Sequence, residues 1–390
     1  MKIESKKLTN YLKGGLGALA LTSCLSSSAF AQSSEQRMLN LEQEVQFLSE
    51  QLIDLQVENS SEVPINTFDS IKFNLGGFIT QTYTVNHAGD FSTDDQFDQT
   101  NIELLLSADI TEEDRFFASL GYLRQHDFDN EHTLQDVTLR GFGRSINRNP
   151  LIIGWWEHTF GNSLAVKAGR FITPWGIINT EHFPPTLQEL NQPIFLRPFE
   201  GNLTIPNFLN GVEASGGFAE QTISYNAYYG QFSGEPGESV FGGRLTWDIP
   251  GDIAVLGGSY QNGVKTGSGE DETYNAFGVD LLLNYNHFGM KAEWYNSSLD
   301  IREDEEAFYV QPFVTLGDFI LFYRYDSIDL DDTVVPGRDE VEHIVGLNYF
   351  FDEKVRLRAQ YTFNEYDVDQ DSLGQDRDFN QLQFSVTASF

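Results

Sequence analysis

The residues best spaced to bind a metal ion lie near the C-terminus, where Asp367, Asp369 and Asp371 alternate and Gly374 follows. Alternate carboxylates at this spacing can reach one hard cation such as Ca²⁺, and the glycine permits the turn. No glutamate follows as the usual bidentate ligand, although Asp376 could take that place. We favour a solvated acidic loop without a bound metal, and a calcium site remains the alternative.

Residues suited to catalysis are few. His158, His182 and Ser163 form no recognisable nucleophile elbow or triad, and no His-x-x-x-His pair offers a metal site. We therefore predict a protein that is not an enzyme and that needs no cofactor, with a lipase as the enzymatic alternative.

The N-terminal region has the pattern of a secretory signal peptide. Lysines precede an apolar stretch from about Gly14 to Leu25, and Ala29-Phe30-Ala31 then provides a cleavage site. We predict that residues 1–31 are removed. A lipoprotein box that ends at Cys24 is the alternative, and it would leave that cysteine lipidated.

A heptad pattern follows the signal peptide and predicts a coiled coil in residues 32–63. The apolar seam is formed by Met38, Leu41, Val45, Leu48, Leu52 and Leu55. Pro64 ends helical structure. We favour self-association of this helix over packing against another part of the chain.

The last ten residues alternate between polar and apolar side chains and end in an aromatic residue. Because successive side chains of a strand point to opposite faces, one face would meet lipid and the other a wet interior. The lipid-facing set is Leu382, Phe384, Val386, Ala388 and Phe390. A closing strand with a terminal phenylalanine resembles the outer-membrane β-barrels of Gram-negative bacteria, a resemblance that implies recognition by the barrel assembly machinery.

The same alternation recurs from Ile71 to the C-terminus, and short and long connections take turns between the strands. The predicted tight turns are 111–114, 161–163, 219–221, 250–252, 287–289, 317–318 and 352–354. The predicted long loops are 88–97, 127–133, 173–210, 233–238, 263–272, 301–305, 328–339 and 367–377. These connections require about sixteen antiparallel strands, so residues 64–390 are predicted to form an all-β transmembrane barrel. The stretch 133–160 is too long for one strand and suggests an insertion.

The formal net charge of −34 and the absence of a basic patch exclude nucleic acid as a partner. Beyond residue 31 no apolar run approaches the roughly 18 residues of a spanning helix.

Sixteen strands, short turns and a third loop much longer than the others resemble the trimeric bacterial porins. The segment from Lys167 to Gly176, with Gly169-Arg170 before Pro174-Trp175-Gly176, is similar to the entry into this loop in coiled-coil-bearing porins. These include phosphate-selective-type, DcaP-like and siderophore-porin relatives. The resemblance implies a homotrimer in the outer membrane, in contact with lipid and lipopolysaccharide.

Strand parity predicts a basic inner wall, and the resemblance implies that acids of the third loop face it and constrict the pore. The basic residues with this parity are Arg140, Lys167, Arg244, Lys291, Arg324, Arg356 and Arg358. The loop carries Glu181, Glu189 and Glu200 together with Arg197. The resemblance implies a pore constriction in which these three acids lie opposite Arg140, Arg244, Arg324, Arg356 and Arg358. The alternative is that these charges only pair with one another. Tyr228, Tyr295 and Tyr309 also have inward parity and could guide sugars.

The sequence therefore predicts a porin that lets small hydrophilic solutes diffuse passively, because a barrel of this size leaves an aqueous channel. A substrate-selective porin for anions, sugars or a siderophore is the first alternative. A structural envelope anchor that acts through the coiled coil is the second. We expect a weak to moderate cation preference that fades as salt rises, because acidic loops at the mouth would concentrate cations while acids of the third loop offset much of the basic wall.

Overall fold

The computed structural model describes residues 71–87, 96–125, 151–161, 163–181, 183–196, 207–218, 222–231, 239–251, 253–266, 271–300, 304–329, 340–366 and 379–390. The predicted signal peptide, Cys24, the coiled coil and the Asp367, Asp369 and Asp371 loop lie outside these residues.

The described chain is a succession of β-strands. They are β1 (Lys72–His87), β2 (Gln96–Asp109), β3 (Asp114–Gln125), β4 (Leu151–Phe160), β5 (Leu164–Ile172), β6 (Phe208–Phe218), β7 (Ile223–Gln231), β8 (Val240–Ile249), β9 (Ala254–Thr266), β10 (Asp271–Tyr285), β11 (Phe288–Leu299), β12 (Glu305–Leu316), β13 (Phe319–Asp329), β14 (Glu340–Phe350), β15 (Val355–Tyr366) and β16 (Phe379–Ser389). One turn of 3₁₀ helix, Ile194–Leu196, interrupts the connection between β5 and β6.

Each strand pairs antiparallel with its neighbours in the chain, and β1 pairs with β16 to close the ring. The predicted barrel of sixteen strands is confirmed. Closure satisfies the backbone N–H and C=O groups of every strand without an exposed edge, which a lipid environment requires.

The position of β4 differs from the expected one. The sequence pattern ended the second long loop at residue 133, whereas β4 begins at Leu151. Residues 126–150 therefore lie between β3 and β4, outside the described residues, and Arg140 is among them.

Side chains alternate between an apolar outer face and a polar inner face, as predicted. In β16, Phe384 and Val386 are 45% and 40% exposed, whereas Gln383 and Thr387 are each 2% exposed. Across the ring, Leu245, Phe277 and Leu321 lie on the outside. The outer face offers lipid an apolar surface, and the inner face collects the polar groups. Among the described residues, no helix is long and apolar enough to cross a membrane.

The ring closes at the C-terminal residue. The backbone N–H of Gly77 donates to the carbonyl of Phe390 at 3.0 Å, and the N–H of Phe390 donates back at 2.9 Å. The Phe390 ring covers Gly77, where an added Cβ atom would lie 2.7 Å from a ring carbon. A larger residue at position 77 would displace this ring.

We predict that deleting Phe390 lowers the temperature at which the refolded barrel unfolds in detergent. The deletion removes two closing backbone hydrogen bonds, each worth about 0.5–1.5 kcal/mol, together with the ring. Heat-modifiability on gels measures the change. Phe390→Ala keeps the backbone bonds and should lie between the deletion and the wild type. Phe351→Ala, which alters an exposed turn residue, is the control. Equal unfolding temperatures for deletion and wild type would contradict the closing role.

Candidate functional site

The connection between β5 and β6 turns into the barrel instead of away from it. Its side chains Trp175, Ile178, Leu187, Ile194 and Phe195 are buried. They form one cluster with inward-facing wall residues, among them Phe171, Leu209, Tyr228, Tyr274, Ala276, Tyr295, Ala307 and Tyr309. Residues 173–196, here called the inner loop, thus have an apolar core of their own inside a polar lumen.

The wall tyrosines belong to this core. Phe195 stacks on Tyr295 and Tyr309, with ring centroids 5.7 Å and 6.3 Å apart. Tyr228 donates to Gln261 at 2.9 Å. All three tyrosines point inward as expected, but the inner loop covers Tyr295 and Tyr309. These two rings therefore offer no open surface for a passing sugar.

Glu293 of β11 holds the start of the inner loop. Its Oε1 atom accepts hydrogen bonds from the backbone N–H groups of Ile177 and Ile178, both at 2.9 Å, and from the Tyr309 hydroxyl at 2.7 Å. Gly176 has a positive φ of 59°, and a side chain at this position would collide with the Glu293 carboxylate. Only glycine fits this approach without strain.

The basic wall residues act mainly on the backbone of the inner loop. Arg244 donates to the Gly176 carbonyl and pairs with Asp280 at 2.6 Å. Arg324 donates to the Asn191 carbonyl at 2.8 Å and pairs with Glu342 at 3.0 Å. A loop inside the barrel has backbone groups that no strand satisfies, and these guanidinium groups supply the missing donors.

Arg356 and Arg358 lie side by side on β15, each 5% exposed. Arg356 donates to the Pro184 carbonyl, and Arg358 donates to the Glu189 carbonyl at 3.1 Å and to the Thr387 hydroxyl at 3.0 Å. Among the described residues, no carboxylate lies within salt-bridge distance of either guanidinium group. Both side chains therefore fix the loop while their positive charge is not directly paired.

Two wall amides and one wall carboxylate complete the attachment of the inner loop. Asn348 donates to the Gln188 carbonyl at 3.0 Å, and Gln360 accepts from the Leu190 N–H at 2.9 Å. Asp326 accepts from the Ile194 N–H at 2.9 Å. The inner loop thus spans the lumen from β8 to β15.

The predicted acids of the loop behave differently from one another. Glu181 pairs with Lys291, while Glu189 is fully buried and accepts from Gln311 at 3.1 Å. Burial raises the pKa of Glu181, and the adjacent Lys291 ammonium offsets part of that rise. Glu200, Arg197 and Arg140 lie outside the described residues, so their part in a constriction stays a prediction.

The acids that pair with Arg244 and Arg324 come from the wall and were missed in the sequence. They are Asp280, Asp326 and Glu342. Strand parity could have found them, because Asp326 is two residues after Arg324 and shares its face. Of the inward-facing charged residues of the wall, the sequence prediction considered only the basic ones, and the inward-facing carboxylates were therefore not recognised. On the described inner surfaces, carboxylates outnumber basic groups, since Glu103, Glu157, Glu213, Glu305 and Glu340 also point inward.

The family model for phosphate-selective porins O and P matches residues 256–387, the stretch from β9 to β16. The anion-selective porin from Comamonas acidovorans is 12% identical with a TM-score of 0.62, covering 82% of this chain and 100% of its own. The chain has the fold of the bacterial outer-membrane porins.

Two further porin-fold structures are similar. The outer membrane channel DcaP of Acinetobacter baumannii is 11% identical with a TM-score of 0.57, covering 82% of this chain and 97% of its own. OmpT of Vibrio cholerae, in its trimer form, is 11% identical with a TM-score of 0.57, covering 83% of this chain and 100% of its own. A comparison with curated proteins finds no match.

We predict that Glu293→Ala loosens the inner loop, because two backbone N–H groups and the Tyr309 hydroxyl lose their shared acceptor. Single-channel recordings should show larger and noisier current steps than those of the wild type. Glu293→Gln keeps a carbonyl oxygen at the same place and should resemble the wild type. Identical recordings for the alanine and wild-type proteins would mean that Glu293 does not hold the loop.

Proposed function

We propose that this chain is a porin of the Gram-negative outer membrane that forms a water-filled channel for passive diffusion of small hydrophilic solutes. The observation that carries the proposal is a closed ring of sixteen strands with an apolar outer face and a charged inner face. A ring of this size encloses more space than its own wall side chains can fill.

The inner loop narrows this channel. It attaches to β8 and β11 near its start and to β13, β14 and β15 farther along, through bonds to its backbone. A segment held at both ends leaves only the remaining part of the lumen to solutes. We infer that small solutes pass and that large ones are rejected.

The charges on the inner surfaces favour cations. Carboxylates outnumber basic groups there, and the wall acids Asp280 and Glu342 neutralise Arg244 and Arg324 directly. Of the described loop acids, Glu181 pairs with Lys291. Charges in a narrow passage act at close range, whereas exposed loop charges are screened over about 8 Å at physiological salt.

A channel selective for anions is the second candidate. It is favoured by Arg356 and Arg358, whose neighbouring positive charges have no carboxylate at salt-bridge distance among the described residues. The anion-selective porin from Comamonas acidovorans shares the fold. The burial of both side chains under the inner loop argues against this candidate, because a passing anion would need to reach them.

Assembly as a homotrimer is part of the proposal, together with lipid and lipopolysaccharide as surroundings and recognition of Phe390 by the barrel assembly machinery. The homotrimer is supported by the trimer form of OmpT, which shares the fold. The heptad seam between Met38 and Leu55 would add a second contact between subunits.

Planar bilayer recording of the purified protein tests the channel function. We expect stepwise current increases and a reversal potential that indicates a weak cation preference at low salt, which fades as salt rises because screening weakens. The absence of any stepwise current increase would contradict a porin. A structural envelope anchor would then be the remaining explanation. A clear anion preference would favour the second candidate, and Arg356 and Arg358 would be the first residues to replace.

We also predict that deleting residues 36–59 lowers the temperature at which the trimer dissociates on gels, without preventing barrel insertion. The deletion removes the apolar seam. Leu48→Asp, on the seam, should act in the same direction, while Glu50→Gln, off the seam, should not. A full-length mature protein that migrates as a monomer would contradict a role for this segment in assembly.

A further inference from the structure

In the part of the chain that the structure describes, Lys167 of β5 makes no bond to the inner loop. Among the described inward-facing basic side chains away from the rims, Arg244, Lys291, Arg324, Arg356 and Arg358 all bond to the loop. Lys167 of β5 bonds instead to its neighbours on the wall. It therefore carries a charge that loop attachment does not explain.

Lys167 lies between two glutamates at the same level of the sheet. The register pairs it with Glu157 of β4 on one side and with Glu213 of β6 on the other. Its Nζ atom is 3.9 Å from a carboxylate oxygen of Glu157 and 3.3 Å from one of Glu213. This row of three side chains bears a net negative charge.

The surroundings hold the row in place. The Lys167 ammonium lies 5.1 Å from the centre of the Trp155 ring, in the range of a cation–π contact. Asn226 of β7 donates to the second oxygen of Glu213 at 2.8 Å. Glu213 is thus held by two partners, whereas the contact of Glu157 with Lys167 is longer, at 3.9 Å.

Water reaches two members of this row, Lys167 and Glu157, whereas the side chain of Glu213 is 4% exposed. The side chains of Lys167 and Glu157 are 18% and 23% exposed. The side chains of Arg244, Lys291 and Arg324 are 8%, 2% and 0% exposed. A permeating ion meets charges that water can reach, so the basic residues under the loop are screened from it by the loop itself.

We propose that Lys167, with Glu157 and Glu213, sets the charge selectivity of the channel, a role that rests on the proposed porin function. The two carboxylates attract cations, and the ammonium between them limits that attraction. The ligand class is a small hydrated cation that passes Glu157. Lys167 is the residue that keeps the cation preference weak.

The test is the ratio of cation to anion permeability from reversal potentials at low salt. Lys167→Gln leaves both carboxylates without the ammonium and should raise the ratio about fivefold, as expected for one unit charge acting at about 4 Å in water. Glu157→Gln should lower the ratio instead. Lys354→Gln makes the same charge change at an exposed turn and should leave the ratio unchanged.

The outcomes separate the two proposals. Wild-type protein that forms trimers and inserts but never conducts would overturn the porin function, and the role of Lys167 with it. A conducting wild type whose permeability ratio is unchanged in both Lys167→Gln and Glu157→Gln would overturn only the role of the row. Because the two variants are predicted to shift the ratio in opposite directions, Glu157→Gln still decides the matter if Lys167→Gln fails to fold.

Discussion

The backbone of the inner loop needs hydrogen-bond partners inside the barrel, and the lumen is built around this need. Strands satisfy their own backbone, but a segment that leaves the sheet and crosses the lumen has N–H and C=O groups without partners, and a buried polar group without one costs free energy. Here Glu293 and Asp326 accept from its N–H groups, and arginines donate to its carbonyls. Acidic and basic side chains of the wall therefore both attach the inner loop, independently of any role in binding solutes.

This use of the wall changes how its charges are understood. An arginine that points into a porin lumen invites a role in solute recognition, yet Arg244 and Arg324 each bind one loop carbonyl or more and pair with a wall acid. Their charges are neutralised by ion pairs within the protein. The electrostatic character of the open lumen then depends on groups that water reaches, and these include Glu157 on β4 and Lys167 on β5.

Regular alternation made the barrel predictable from the sequence. The period of two placed Arg324, Arg356 and Arg358 on the inner face correctly, because the strand itself determines the direction of each side chain. Their contacts with the inner loop could not be predicted in the same way. The path of residues 173–196 has no period, and the contact of Glu181 with Lys291 depends on where that path runs. The assignment of Arg140 to the wall stays a prediction, because residues 126–150 lie outside the described residues.

The inner loop occupies the conducting lumen, and the proposed solute path and its selectivity depend on this position. The decisive measurement is the unitary conductance of a variant in which residues 177–196 are replaced by a short Gly/Ser linker, compared with that of the wild type in the same bilayer and salt. We predict that the variant has a severalfold larger unitary conductance, because it lacks the segment that crosses the lumen between β8 and β15. An unchanged conductance in a folded, inserted variant would contradict it and would place the solute path away from the loop.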